Sequence, residues 1–253
     1  MTHIIDFHAP AGLLTRGTVI VVPGRGETPA TYARLGARLA ADAYRVRVVS
    51  LPSEDPAAVD GFLDALARLL SEAVDGIAGP DDLPRPLVLV GADLGAAGIA
   101  ALLSSDSLSP RPEGVVLAGL PGTGARAGEE WESELDVRTS CPTHRGVLTG
   151  DTAVRRGALS VAAPRDLLET AYAGTADVPH LLLVGDDDPL ADRDALTRAV
   201  KTLPRARLAV VRGAHHDVLN DLQHRSVAAE IVTFLEALRT DLVPAIAVET
   251  SAW

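Results

Sequence analysis

The stretch "RPLVLVGADLGAAGIAALL", residues 85–103, decides the reading of the fold. Its first half is an unbroken Val/Leu run without polar alternation, the pattern of a strand buried on both faces. Its second half is rich in Ala and Leu at helical spacing. Between them stands Gly91-Ala92-Asp93-Leu94-Gly95, a single carboxylate flanked by small residues. Glycines relieve the crowding of a bend too tight for side chains. A parallel sheet binds its ligands beyond the carboxyl ends of its strands. Asp93 is therefore a candidate functional residue; the alternative is an ordinary helix N-cap, where Asp is favoured.

The same rhythm extends in both directions. "GTVIVVPGRG" (17–26) is a β-branched strand closed by glycines, and "TPATYARLGARLAADA" (28–43) follows with helical spacing. "YRVRVVSLP" (44–52) predicts a second strand and residues 55–79 a helix. "EGVVLAGLPG" (113–122), "VPHLLLVGDDDPL" (178–190) and "ARLAVVRGAHHDV" (206–218) predict further strands. Residues 191–203 and 221–240 predict the helices after the last two. Strands alternating with helices imply an α/β fold with a mostly parallel sheet flanked by helices. Residues 121–177 break the pattern: they are richer in charge, hold Trp131, Cys141, His144 and Tyr172, and show no strand. They read as an insertion over the carboxyl edge of the sheet.

Composition narrows the function. The chain has 253 residues and a formal net charge of −11. That charge repels nucleic acid and anionic membrane surfaces, and no basic patch offsets it. Aromatic residues are 3%, too few for a base-stacking platform. No apolar run approaches the roughly 20 residues that span a bilayer. The opening "MTHIIDFHAP" lacks the basic and apolar regions of a signal peptide, so a cytoplasmic location is expected. The lone Cys141 has no intrachain partner to pair with. "GRGE" (24–27) lacks the third glycine of a dinucleotide-binding turn. A small neutral molecule is the expected partner, with no cofactor and no metal; oligomeric state is left open.

Three positions at the strand ends carry chemistry, in chain order Asp93, Asp188 and His216. With them the sequence resembles the α/β-hydrolase fold family. Gly-x-Asp-x-Gly resembles its nucleophile elbow, and "VVPGRGETPATY" (21–32) its oxyanion segment. "GAHHDVLND" (213–221) is similar to the histidine stretch of the lysophospholipase and monoglyceride-lipase branch, which points to His216 rather than His215. "VPHLLLVGDDDPL" resembles the acid segment and points to Asp188. The resemblance implies one domain over residues 1–253, with residues 121–177 as its cap. It further implies an oxyanion hole built from the backbone N–H groups of Arg25 and Leu94.

Two departures shape the expected reaction. Pro23 stands where the family usually has histidine, and Asp93 stands where it usually has serine. Attack by a carboxylate on an acyl carbon gives an anhydride, little better than the starting ester. Attack on a saturated carbon gives an alkyl ester that water can cleave. The resemblance then points to the epoxide hydrolases and haloalkane dehalogenases, whose elbows also carry Asp. Asp93 is the expected nucleophile, His216 the base and Asp188 its orienting acid. Gly24, Trp131, His144 and Tyr172 are candidate substrate-binding residues. Leu94 replaces the tryptophan common beside that nucleophile, which favours an epoxide over a halide. Arg25 is expected to bind substrate or to pair with Glu27. The alternatives are a lyase, isomerase or cyclase that uses Asp93 as a base, and a pseudo-hydrolase that binds without turnover.

Overall fold

The computed structural model describes residues 4–52, 59–78, 83–247 and 249–251. Seven strands form one sheet: β1 (Ile5–Phe7), β2 (Gly17–Val22), β3 (Tyr44–Val48), β4 (Leu87–Ala92), β5 (Gly114–Ala118), β6 (His180–Gly185) and β7 (Ala206–Val211). Their order is β1-β3-β2-β4-β5-β6-β7. Only β1 runs antiparallel to its neighbour; every other pairing is parallel. The central strands β2, β4, β5 and β6 are buried at every residue, as their unbroken apolar runs require.

Helices cover both faces. α1 (Ala33–Ala41) and α8 (His224–Ala237) pack on one, with Leu35, Leu39, Ile231 and Leu235 meeting Val19, Val21 and Val90 of the sheet. α2 (Val59–Ala78), α3 (Asp93–Ser104), α6 (Arg165–Tyr172) and α7 (Arg193–Thr202) pack on the other. α3 is apolar all round and buried from Asp93 to Leu103, the signature of a central helix. α4 (Trp131–Arg138) and α5 (Pro142–Gly150) join α6 between β5 and β6.

The sequence and the structure differ in places. β1 is not marked in the sequence; with three residues, "IDF", it carries too little alternation to register. The expected strand 206–218 ends at Val211, because Arg212–Asp217 turn along the carboxyl edge and are held there by hydrogen bonds rather than by strand pairing. The expected helix at 28–43 starts as a 3-10 turn, Pro29–Tyr32, before α1. Of the predicted helix 55–79, the first four residues and Gly79 lie outside the described residues. No described helix is long and apolar enough to cross a membrane.

Candidate active site

The elbow is built as its composition demands. Asp93 sits between β4 and α3 with φ of +47°, left-handed backbone that L-residues adopt at a cost of about 1–2 kcal/mol. A Cβ on Gly95 would stand 2.5 Å from the Pro23 carbonyl oxygen, and one on Gly91 would stand 2.6 Å from the Ala96 nitrogen. Only hydrogen fits at either place. α3 begins at Asp93 itself, so this residue is not an N-cap: the cap position is Ala92. The Asp93 side chain turns instead into the site, buried at 4% exposure.

Its carboxylate receives donors on both oxygens. Oδ1 accepts from Nε2 of His216 at 3.2 Å and from Nη2 of Arg25 at 2.7 Å. Oδ2 accepts from the Arg25 backbone N–H at 2.9 Å and from its Nε at 2.8 Å. The other ring nitrogen of His216, Nδ1, pairs with Oδ2 of Asp188 at 3.0 Å. Asp188 is fixed in turn by the Leu190 N–H, which donates to its Oδ1 at 2.8 Å. The result is a buried row that alternates in sign: Arg25, Asp93, His216, Asp188.

The row fixes its own charge states. Burial opposes ionisation of Asp93, but the Arg25 guanidinium, aided by His216, holds the carboxyl well below its usual range. Burial likewise opposes a charged His216. Asp188 and then Asp93 overcome it and push the imidazole up to about 10, so His216 is an imidazolium near neutral pH.

Arg25, expected to bind substrate or to pair with Glu27, pairs with Asp93. Its side chain lies between that carboxylate and a cavity of about 290 Å³. The cavity is walled by Val59, Phe62, Leu94, Val161 and Leu167, with Arg155 and Arg156 on the side of the segment between β5 and β6. Arg25 Nη1 also donates to the Val161 carbonyl, tying it to that side.

Three candidate substrate residues do not line this cavity. Trp131 packs with Leu135 and Leu148, and its ring carries the guanidinium of Arg156 at 5.2 Å. Tyr172 donates its hydroxyl to the carbonyls of Leu120 and Pro121. His144 is buried against Asp217, 2.8 Å away. Tyr172 and His144 thus have their polar atoms partnered inside the fold, while Trp131 has a partner on its ring face and leaves its buried Nε1 without one. Gly24 stays at the site: a Cβ there would lie 3.0 Å from that of Asp93. His215 pairs with Asp221 and faces away from the row.

Behind the turn after β2 lies a second polar group that the sequence did not reveal. Glu27 accepts from the Gly24 N–H at 2.8 Å and from the Tyr32 hydroxyl. Arg138 donates to Glu134 at 2.8 Å, to the Arg25 carbonyl at 2.7 Å and to Asp217 at 3.4 Å. Burial and the nearby Asp217 carboxylate push the Glu27 carboxyl up to about 7. An Arg four residues after a Glu was the available signal, but on a helix with charge on all sides it reads as surface.

Residues 19–230 match the family described as "Alpha/beta hydrolase family". No protein of curated function matches the chain by sequence. Solved structures share the fold at low identity. Monoacylglycerol lipase from Paleococcus ferrophilus is 18% identical, with 94% of this chain and 99% of that one covered and a TM-score of 0.70. A lipase-esterase related protein from Clostridium acetobutylicum is 17% identical over 92% and 99%, with a TM-score of 0.70. The enol-lactonase from Burkholderia xenovorans is 16% identical over 93% and 96%, with a TM-score of 0.63.

Proposed function

The chain belongs to the alpha/beta hydrolase family, and on that premise we propose that it hydrolyses a small neutral molecule at a saturated carbon, with Asp93 as nucleophile. One observation carries the reading: Asp188, His216 and Asp93 are joined at 3.0 and 3.2 Å beneath a largely apolar cavity. Residues 121–177 act as the cap in this reading, since Val161 and Leu167 form one wall of that cavity.

The proposed substrate is an epoxide. Arg25 holds Asp93 ionised, as a nucleophile requires, but occupies both of its oxygens. The substrate oxygen offers Arg25 a new acceptor, and the shift of Nη2 from Oδ1 frees a lone pair for attack. Arg25 thereby takes the electrophilic role, which Tyr172, bonded to the carbonyls of Leu120 and Pro121, is not placed to fill. The Oδ1–carbon bond forms as the carbon–oxygen bond of the ring breaks, and the alkoxide takes the proton of His216. Esterified Asp93 is neutral, so His216 loses one of the two charges that held its proton. It is then a base for water, which attacks the carbonyl carbon of Asp93. The Arg25 N–H, already placed on Oδ2, stabilises the oxyanion; one such donor is typically worth about 3 kcal/mol. Collapse releases the diol and restores carboxylate and imidazolium.

A single turnover of a small epoxide in ¹⁸O-water, with enzyme in excess, tests this. The added diol oxygen is expected to be unlabelled, and the peptide containing Asp93 is expected to gain the label. Label that goes from solvent straight into the diol overturns the covalent route. A second reading, a ligand-binding protein without turnover, is favoured by the closed Arg25–Asp93 pair. It predicts saturable binding of small apolar ligands with no diol formed.

A further inference from the structure

The geometry points to a divalent-cation site at Glu27, His144 and Asp217, separate from the Asp93 row, for which zinc is the ion of best fit. The three side chains come from different parts of the chain: the turn after β2, helix α5 and the loop after β7. One ligand atom from each lies within 4.8 Å of the others. Ligands on a tetrahedral zinc stand about 3.4 Å apart, given zinc–nitrogen and zinc–oxygen bonds near 2.1 Å. Side-chain rotations of under about 1 Å therefore close the shell. One imidazole nitrogen and two carboxylates suit a borderline ion; magnesium prefers six oxygens.

Two observations beyond the spacing support an ion here. First, Glu27 Oε1 is buried and has no hydrogen-bond partner, while Oε2 already takes two donors. A buried carboxylate oxygen without a partner is costly, and a metal supplies one. Second, the charges of the group do not cancel. Counted as carboxylates, Glu27, Glu134 and Asp217 face, among the described residues, one guanidinium, that of Arg138; burial and this excess together raise the Glu27 carboxyl. With His144 charged the group is still one negative in excess; with His144 neutral it is two. A divalent ion on neutral His144 brings the sum to zero. The Asp93 row cancels by itself, so it has no charge to lend. Asp217 Oδ2, now bonded to His144 Nε2 at 2.8 Å, would exchange that hydrogen bond for a shared ion. Such an ion would pin the oxyanion turn, α5 and the His216 loop to one point.

The untagged chain, stripped with EDTA and gel-filtered, is titrated with zinc chloride. One zinc per chain is expected, with a melting temperature several degrees higher, and magnesium chloride is expected to give no rise. His144→Ala is expected to weaken zinc binding at least a hundredfold. Glu27→Gln keeps the shape and removes one charge, so its metal-free form is expected to melt no lower than the stripped wild type, yet to lose the zinc-induced rise. Crystals of the wild-type chain soaked in zinc chloride should show the anomalous peak among these three residues, which needs no variant to fold. No stoichiometric uptake overturns the site. So does uptake that survives both substitutions, or a peak elsewhere.

Discussion

Arg25 is the residue on which the site turns. A serine at position 93 would take the carboxylate acceptor away from its Nε and Nη2; the aspartate gives it a bidentate acceptor. Replacing Arg25 by Met removes the guanidinium from the buried Asp93 carboxylate and leaves it His216 and the backbone N–H of residue 25. Breaking a buried pair from one side costs about 3–5 kcal/mol, and urea denaturation near neutral pH should show a loss of that size. The pH dependence has a defined sign. Asp93 is held below the unfolded carboxyl value of 3.8, so the stabilisation from its pairing is fully present above that value. It is lost as pH falls through the lower, folded value. The gap between wild type and Arg25→Met should therefore be widest near neutral pH and close under acid conditions. A gap that stays constant below pH 3 would mean that the ion pair adds nothing to stability.

The elbow is the element that imposes the site on the backbone, and it leaves no room. Gly95→Ala puts a methyl into the Pro23 and Val22 carbonyls, at 2.5 and 2.7 Å. The strand and helix must part, at a cost of about 1–3 kcal/mol or more. Chemical denaturation should show that loss, and the ¹⁸O experiment should show slower turnover because Asp93 is displaced from His216. This element is legible in the sequence, because Gly91, Asp93 and Gly95 stand at a change of period from strand to helix. α4 is not. Its sequence, "WESELDVR", has charge on every side, and nothing in it marks Glu134 and Arg138 as the pair buried at 0% and 1% side-chain exposure. Periodicity reports where apolar residues point; it is silent about a salt bridge that is itself the core. The same blindness hides where His144 and Trp131 lie, away from the cavity beside Arg25. Their residue types suit a site, and the contacts that occupy them come from segments distant in the chain.

Across the whole molecule, that buried pair stitches the segment between β5 and β6 to the carboxyl edge of the sheet. Arg138 reaches the Arg25 carbonyl and Asp217, while the Asp217 and His216 N–H groups donate to the carbonyls of Arg138 and Val137. Glu134→Ala alone should cost about 3–5 kcal/mol, because Arg138 keeps its charge and loses its main partner. Glu134→Leu with Arg138→Met should cost less than the sum of the two single changes, since the pair vanishes together. A double-mutant cycle by urea denaturation measures the difference, and simple additivity would mean that the pair is not coupled. The order of strands, the parallel sheet and the three residues that meet at its edge are readable from a chain of alternating apolar runs. What lies between Asp93 and the cavity is not, because no pattern in "PGRGE" says which carboxylate Arg25 will choose.

The alternation of sign along the row Arg25, Asp93, His216, Asp188 has a bearing on what the cavity admits. The four formal charges sum to nothing, so a guest that carries none disturbs no balance. A cationic guest, by contrast, must either draw Asp93 from Arg25 or sit uncompensated among Val59, Phe62 and Leu167. An anionic one must draw Arg25 from Asp93 or stop beside Arg155 and Arg156. On the proposed reading, electroneutrality is thus a sieve at the door, set by the protein's own ions rather than by the width of the opening.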